Sequence, residues 1–202
     1  MEQAFNLKAT VASLKKLDRA CRLLLGAIVV ERLVPNYHRF EEATGRNDDV
    51  PLRGCLDFVW KNIRSVEIDP VKVYALIAQC ELLMPSVEEQ RTANAAMALD
   101  AVNALCCLLE QIVTDSPEKV AEICAAAIDT IDMFLQRNDL VGVDVIDLEA
   151  ERRILEHSLM QTELSRQRSD QDALRSIEVI DEDFLQRTKQ AARARGSNLE
   201  NR

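Results

Sequence analysis

Eight polar or amphipathic residues sit among apolar neighbours: Glu31, Arg32, Asn36 and Tyr37 in ERLVPNYHRF (31–40), Arg53, Asp57 and Trp60 in LRGCLDFVW (52–60), and Asp100 in AMALDAVNAL (96–105). In a pocket, such carboxylates and guanidinium groups would suit acid–base work or the binding of a charged small molecule. In a closed junction they would instead neutralise one another and fix how helices dock. Asp100 is the informative member, because a buried carboxylate costs several kcal/mol unless a cation or hydrogen-bond donors meet it. Arg32 or Arg53 is therefore expected against Asp100. Arg53 and Asp57 are four apart, on one side of a helix, and can pair within it. Tyr37 and Trp60 are expected near the same junction as packing residues, their polar atoms reaching the cluster or water. The structural reading leads the catalytic one, and no residue is assigned as catalytic.

Other chemistries find little support. His38 and His157 are the only histidines, and neither has a carboxylate or cysteine at paired-ligand spacing, so no metal site is expected. Adjacent Cys106 and Cys107 diverge by about 100° on a helix and are read as packing residues. Asp129 and Asp132, three apart on an apolar helix, are read as a solvated face in the absence of a visible third ligand. The five glycines are isolated, so no phosphate-cradling loop and no cofactor is expected. No serine stands in a GxSxG context and no cysteine has a histidine nearby.

The elements that must carry these residues read as helices throughout. Asp18 caps a helix with Cys21, Leu24, Leu25, Ile28 and Val29 on its apolar stripe, expected to stop at Val34. Pro35 is expected to open a second, short helix that Gly45 ends. Pro51 suits the start of the next, whose Leu52, Cys55, Leu56, Val59, Trp60 and Ile63 form the cleanest amphipathic pattern in the chain. The pairs DP (69–70) and SP (116–117) begin two more, and SVEE (86–89) is a capping-box pattern. From Val120 a stripe of Cys124, Ala127, Ile128, Ile131 and Leu135 runs to about residue 137. LVGVDVID (140–147) reads as an extended link, and Leu148, Leu155 and Leu159 as a more polar helix. SDQD (169–172) is expected to cap a last helix toward Gly196, leaving GSNLENR (196–202) frayed.

The expectation is an all-α, single-domain bundle of about seven to nine helices. Its core spans 1–168, and a more loosely attached polar C-terminal helix with a basic tail, 169–202, belongs to the same domain. Five glycines, five prolines and 4% aromatic residues fit that class. The net charge of −9 is uneven: residues 1–40 and 185–202 each carry +4, leaving −17 on 41–184. An acidic body repels nucleic acid and anionic lipid, so a nucleic-acid partner is unlikely on charge grounds. Arg187, Lys189, Arg193 and Arg195 are read as complementing a helix C-terminus, with nucleic-acid contact a weaker alternative. The longest apolar stretch, LLLGAIVV (23–30), is far below the ~20 residues that span a bilayer, so no membrane helix is expected. Six cysteines in apolar surroundings, with no cleavable leader before them, predict free thiols in a reducing cytoplasm.

The segments ERLVPNYHRF, LRGCLDFVW and LDAVNAL resemble the YjaG-type bacterial family, domain of unknown function 416, across most of residues 5–165. The matching positions are Glu31, Arg32, Pro35, Asn36, Tyr37, Phe40, Arg53, Leu56, Asp57, Trp60 and Asp100, with ERxxPNY the most specific part. His38 is not among them. The resemblance implies an all-helical cytoplasmic bacterial protein of about this size with no assigned activity. The leading functional expectation is an interaction or structural module, a homodimer or the partner of another protein. An enzyme or small-molecule binder using the eight residues is the alternative.

Overall fold

Helix starts follow capping chemistry. The computed structural model describes residues 4–47, 49–89, 93–138 and 148–200. Within them run α1 (Leu7–Leu14), α2 (Arg19–Thr44), α3 (Asp49–Asn62), α4 (Pro70–Glu81), α5 (Ala93–Thr114), α6 (Pro117–Arg137), α7 (Leu148–Glu156), α8 (Ser158–Arg175) and α9 (Glu182–Ala194), with no strand among the described residues. The carboxylate of Asp18 accepts from the Cys21 amide at 2.7 Å to open α2, and that of Asp69 accepts from Val71 at 3.0 Å to open α4. Ser86 and Glu89 exchange amide-to-side-chain bonds of 2.7 and 3.3 Å, the reciprocal pattern of a capping box. Gly45 closes α2 in the left-handed conformation at φ 71°.

Helix α2 is the axis of the fold. Residues 23–30 are buried on every side, because α5 and α6 pack along it and α3, α8 and α9 cover the rest. The unbroken apolar run LLLGAIVV is what a helix enclosed by neighbours requires. At Gly26 a Cβ would stand 2.7 Å from Leu108 Cδ1 and 3.3 Å from Ile123 Cδ1, so the missing side chain lets α5 and α6 close on α2. Among the described residues, Asn94–Thr114 of α5 is long and apolar enough to cross a membrane by length and composition, which was not expected. It is 67% buried inside the bundle, as a core helix is.

Several expectations are corrected. Pro35 does not open a new helix; it lies inside α2, which continues to Thr44. The missing amide removes one intrahelical bond at a cost of about 3 kcal/mol. Burial of Asn36, Tyr37 and Phe40 beyond the proline offsets that. SDQD (169–172) lies within α8, so the anticipated 168/169 boundary falls inside a helix; Asp181 caps α9 by accepting from Phe184 N at 2.7 Å. The polar helix expected after residue 148 is two, parted at His157, whose Nδ1 accepts from Leu159 N at 3.2 Å. The tail is not frayed over its described part: Ser197, Asn198 and Leu199 are buried. Leu199 packs in a second apolar cluster with Ile131, Leu135, Ile154 and Met160. The extended link read at 140–147 lies outside the described residues.

Gly26→Val, whose branched side chain adds more bulk than the ends of Leu108 and Ile123 can yield to, is expected to lower the unfolding free energy by about 1–3 kcal/mol through overpacking. Urea denaturation monitored by circular dichroism measures it; an unchanged midpoint would refute the close approach.

Candidate functional site

The eight predicted residues do not form one cluster. They divide between four places, and C-terminal residues that were not among the eight complete two of them.

The first centre is Glu31, whose side chain is 1% exposed. Its Oε2 accepts from Arg53 NH1 at 2.6 Å, and its Oε1 from Trp60 Nε1 at 2.9 Å and Arg193 Nε at 3.1 Å. Thus α3 supplies two donors and α9 a third. Asp57 belongs to the same group but, contrary to expectation, does not pair with Arg53. It accepts from Arg193 NH2 at 2.7 Å and lies 2.8 Å from Lys189 Nζ. Glu31 lies between the two helices and draws Arg53 across, while Lys189 and Arg193, four apart on α9, reach Asp57 together. Lys189 Nζ also stands 6.0 Å from the centroid of the Trp60 ring, within cation–π range. Partial burial raises the Asp57 pKa, but Lys189 and Arg193 outweigh it and hold the carboxyl below its ordinary value.

The second centre is Arg32, fully buried. Its NH1 donates to Asp170 Oδ2 at 2.8 Å and its NH2 to Glu163 Oε1 at 2.9 Å. Burial opposes its charge, and the two carboxylates prevail, so its pKa is raised. Asp170 also accepts from Arg195 at 2.8 Å, and Gln167 Nε2 donates to Glu163 at 3.0 Å and to the Cys124 carbonyl at 3.1 Å. One turn along α2, Asn36 donates to Asn198 Oδ1 at 2.9 Å and accepts from Ser197 Oγ at 2.7 Å. Asn198 in turn donates to the Ala127 carbonyl at 2.9 Å and, through its amide, to the Arg32 carbonyl at 3.2 Å. The tail is buried because its polar groups find partners on two core helices.

Asp100 stands apart from both. Neither Arg32 nor Arg53 meets it, contrary to expectation; it accepts from Thr130 Oγ1 at 2.9 Å. A half-buried carboxylate needs less compensation than a fully buried one, and a hydroxyl from α6 serves. Burial pushes its pKa up to about 6, against the Thr130 bond, with the Asp129 charge adding a little. Tyr37 lies at a further junction, donating to the Leu83 carbonyl at 3.1 Å. Asp129 is exposed, and Asp132 accepts from Gln136 at 2.9 Å. Among the described residues, no group of three His, Cys, Asp or Glu side chains is placed to hold a metal ion.

The partners missed by sequence reasoning left a readable signal. Glu163, Gln167 and Asp170 recur at i, i+4 and i+7 on the face of α8 that also carries Met160, Leu164 and Leu174. Carboxylates on a buried stripe demand a cation from elsewhere, and Arg32 answers.

None of the eight lines the two largest described cavities, of 710 Å³ beside α6 and α7 and 520 Å³ between α1 and α8. Asp57, Trp60 and Lys189 border a space of 130 Å³.

With this geometry in view, the sequence matches, over residues 9–199, the family model described as "Protein of unknown function (DUF416)". The chain belongs to the DUF416 family. A comparison with curated proteins finds no match. The crystal structure of a DUF416 family protein from Shewanella baltica OS155 superposes with a TM-score of 0.82 at 20% identity, covering 98% of each chain. That likeness establishes a shared fold.

Two measurements probe the tail and Asp100. Removing residues 197–202 strands the Asn36 amide and empties the Leu199 site, with an expected loss on the order of 3 kcal/mol in urea denaturation; unchanged stability would show the tail to be dispensable. For Asp100, a carboxyl whose folded pKa lies above its ordinary 3.8 binds its proton more tightly when folded. Its contribution to stability therefore declines as pH rises from about 4 to about 6. Asp100→Asn should remove that decline and gain about 1–2 kcal/mol at pH 7 relative to pH 4. Parallel pH–stability curves for the two proteins would contradict the raised pKa.

Proposed function

We propose that this DUF416 protein is an interaction module whose interior ion network is a helix-locking device rather than a reaction centre. The observation that carries this is Glu31: both of its oxygens are occupied by Arg53, Trp60 and Arg193, and its side chain is sealed from water. A catalytic carboxylate must reach a substrate proton, and a general base needs a free lone pair within hydrogen-bond distance of it. Asp57 is 46% exposed but engaged by Lys189 and Arg193.

The enzyme or small-molecule reading has less behind it. The 130 Å³ space at Asp57 is below the ~300 Å³ of ordinary ligand pockets. The nucleic-acid reading weakens as well, because Arg187, Lys189, Arg193 and Arg195 each meet a carboxylate of this chain. The six free cysteines fit a reducing compartment, and a bacterial cytoplasm is what the family resemblance implies.

Glu31→Gln removes the charge of a buried acceptor and turns an amide nitrogen toward donors. Its cationic partners Arg53 and Arg193 stay 25% and 40% exposed and can be rehydrated, so the expected cost is about 2 kcal/mol. Asp57→Asn, in a solvent-screened position, should cost under about 1 kcal/mol. Thermal melts of both proteins test this. Wild-type melting of Glu31→Gln would defeat the locking role and return the cluster to the small-molecule reading.

A further inference from the structure

Helices α8 and α9 each pack on α2 but scarcely on one another, and a cavity of 180 Å³ lies between them. The connection 176–181 turns the chain back, so that Arg195 returns to Asp170 and donates from NH1 to its Oδ1 at 2.8 Å. On α9 the bordering residues Phe184, Thr188, Ala191 and Arg195 are spaced by four, three and four, which is one face of a helix. On α8 they are Asp170, Ala173 and Leu174, with Ile177 just beyond, and the buried Ile28 of α2 borders the space from below. The ion pair stands at one end and Ile177 and Phe184 at the other. Midway, the exposed Ala173 and Ala191 leave the space unfilled, where folded interiors rarely keep a void larger than a water molecule.

The lining decides what fits. Its walls are apolar, and an apolar cavity of about 150 Å³ takes up a benzene-sized molecule. The space is below the ~300 Å³ of drug-sized pockets, so the occupant is small. Among the polar groups, Asp170 has both oxygens held by guanidinium groups, Oδ2 by Arg32 and Oδ1 by Arg195, each at 2.8 Å. Arg195 uses only NH1 in that pair. Its Nε and NH2 meet no partner among the described residues, and neither does the Thr188 hydroxyl. The unused capacity belongs to donors, so a ligand must bring an acceptor. A carboxylate meets a guanidinium through charge-assisted hydrogen bonds, whereas a cation would be repelled. Arg195 is 43% exposed, which lets an anion reach it from solvent. Residues 185–202 carry +4, so the local field favours an anion although the whole chain is at −9. The 130 Å³ space beside Asp57 differs here, because its Lys189 is already paired with that carboxylate.

We propose that the cleft between α8 and α9 binds a small monocarboxylate with an aromatic or branched aliphatic body. The carboxylate rests on Arg195 and Thr188, and the body lies between Ala173 and Ala191 against Ile28. This goes beyond the interaction-module reading and does not depend on it. The occupant joins two helices that scarcely touch, beside the point where Asp170 fastens them to α2.

Isothermal titration of the full chain with sodium benzoate and sodium isovalerate at constant ionic strength tests the proposal, with benzamide as the uncharged control. One saturable site with a Kd on the order of 100 μM is expected for at least one acid, and benzamide should bind at least about tenfold more weakly than benzoate. Ala191→Leu fills the cleft from α9 and Ala173→Leu fills it from α8, and each should weaken binding of the acid by at least about tenfold. Both positions are exposed and leucine favours helix, so circular dichroism melts of the unliganded variants should stay at or above wild type. A saturating acid should raise the melting temperature of the wild type and leave the leucine variants unmoved. Absence of saturable binding by either acid at low-millimolar concentration overturns the proposal. So does benzamide binding as tightly as benzoate, or binding that survives both leucine substitutions.

Discussion

A guanidinium without access to water must be neutralised where it stands. Arg32 sits in the middle of the most enclosed helix of the bundle, and isolated it would cost far more than any single apolar contact returns. Its two carboxylates come from α8, and one of these holds Arg195 just beyond α9. Position, register and rotation of α8 relative to α2 follow from that one charge. Apolar packing alone would tolerate several registers between the same helices; a fork of two hydrogen bonds does not. Burial of charge is an expensive way to gain stability, and Glu163 Oε2 and Arg32 Nε are left without hydrogen-bond partners. The return is a defined geometry.

Glu31, the preceding residue, applies the same rule with the sign reversed. Consecutive residues on a helix diverge by about 100°, so an acid and a base side by side recruit different neighbours. Arg32 gathers α8, and Glu31 gathers α3 and α9. The Glu-Arg pair in ERxxPNY is thus a branching point for the bundle, and Asn36, one turn further, fastens the tail.

How much of this was legible depended on distance along the chain. Caps at Asp18, Asp69 and Ser86 were readable because each is settled within four residues. Pro35 misled because its local cost is real but smaller than the burial gained on its far side, a quantity no local pattern contains. Asp100 was read as needing a cation and Arg32 as a candidate to supply it, yet nothing in the sequence chose Thr130 for one and Asp170 for the other. The tail was the plainest miss: GSNLENR has the composition of a frayed end, and its Ser and Asn are buried only because Asn36 and two backbone carbonyls await them.

That last feature bears on the order in which the molecule assembles. Asn36 and Asn198 lie 162 residues apart, and Arg32 and Asp170 138. Helices α2, α5 and α6 can collapse on one another through apolar contacts, and Arg53 and Trp60, 22 and 29 residues from Glu31, can meet it as early, but Arg32 and Asn36 lack their partners until the C-terminal part of the chain has looped back. Closing so long a loop is entropically costly and late. Setting those two fastenings last keeps the central helix adjustable while its neighbours find their places.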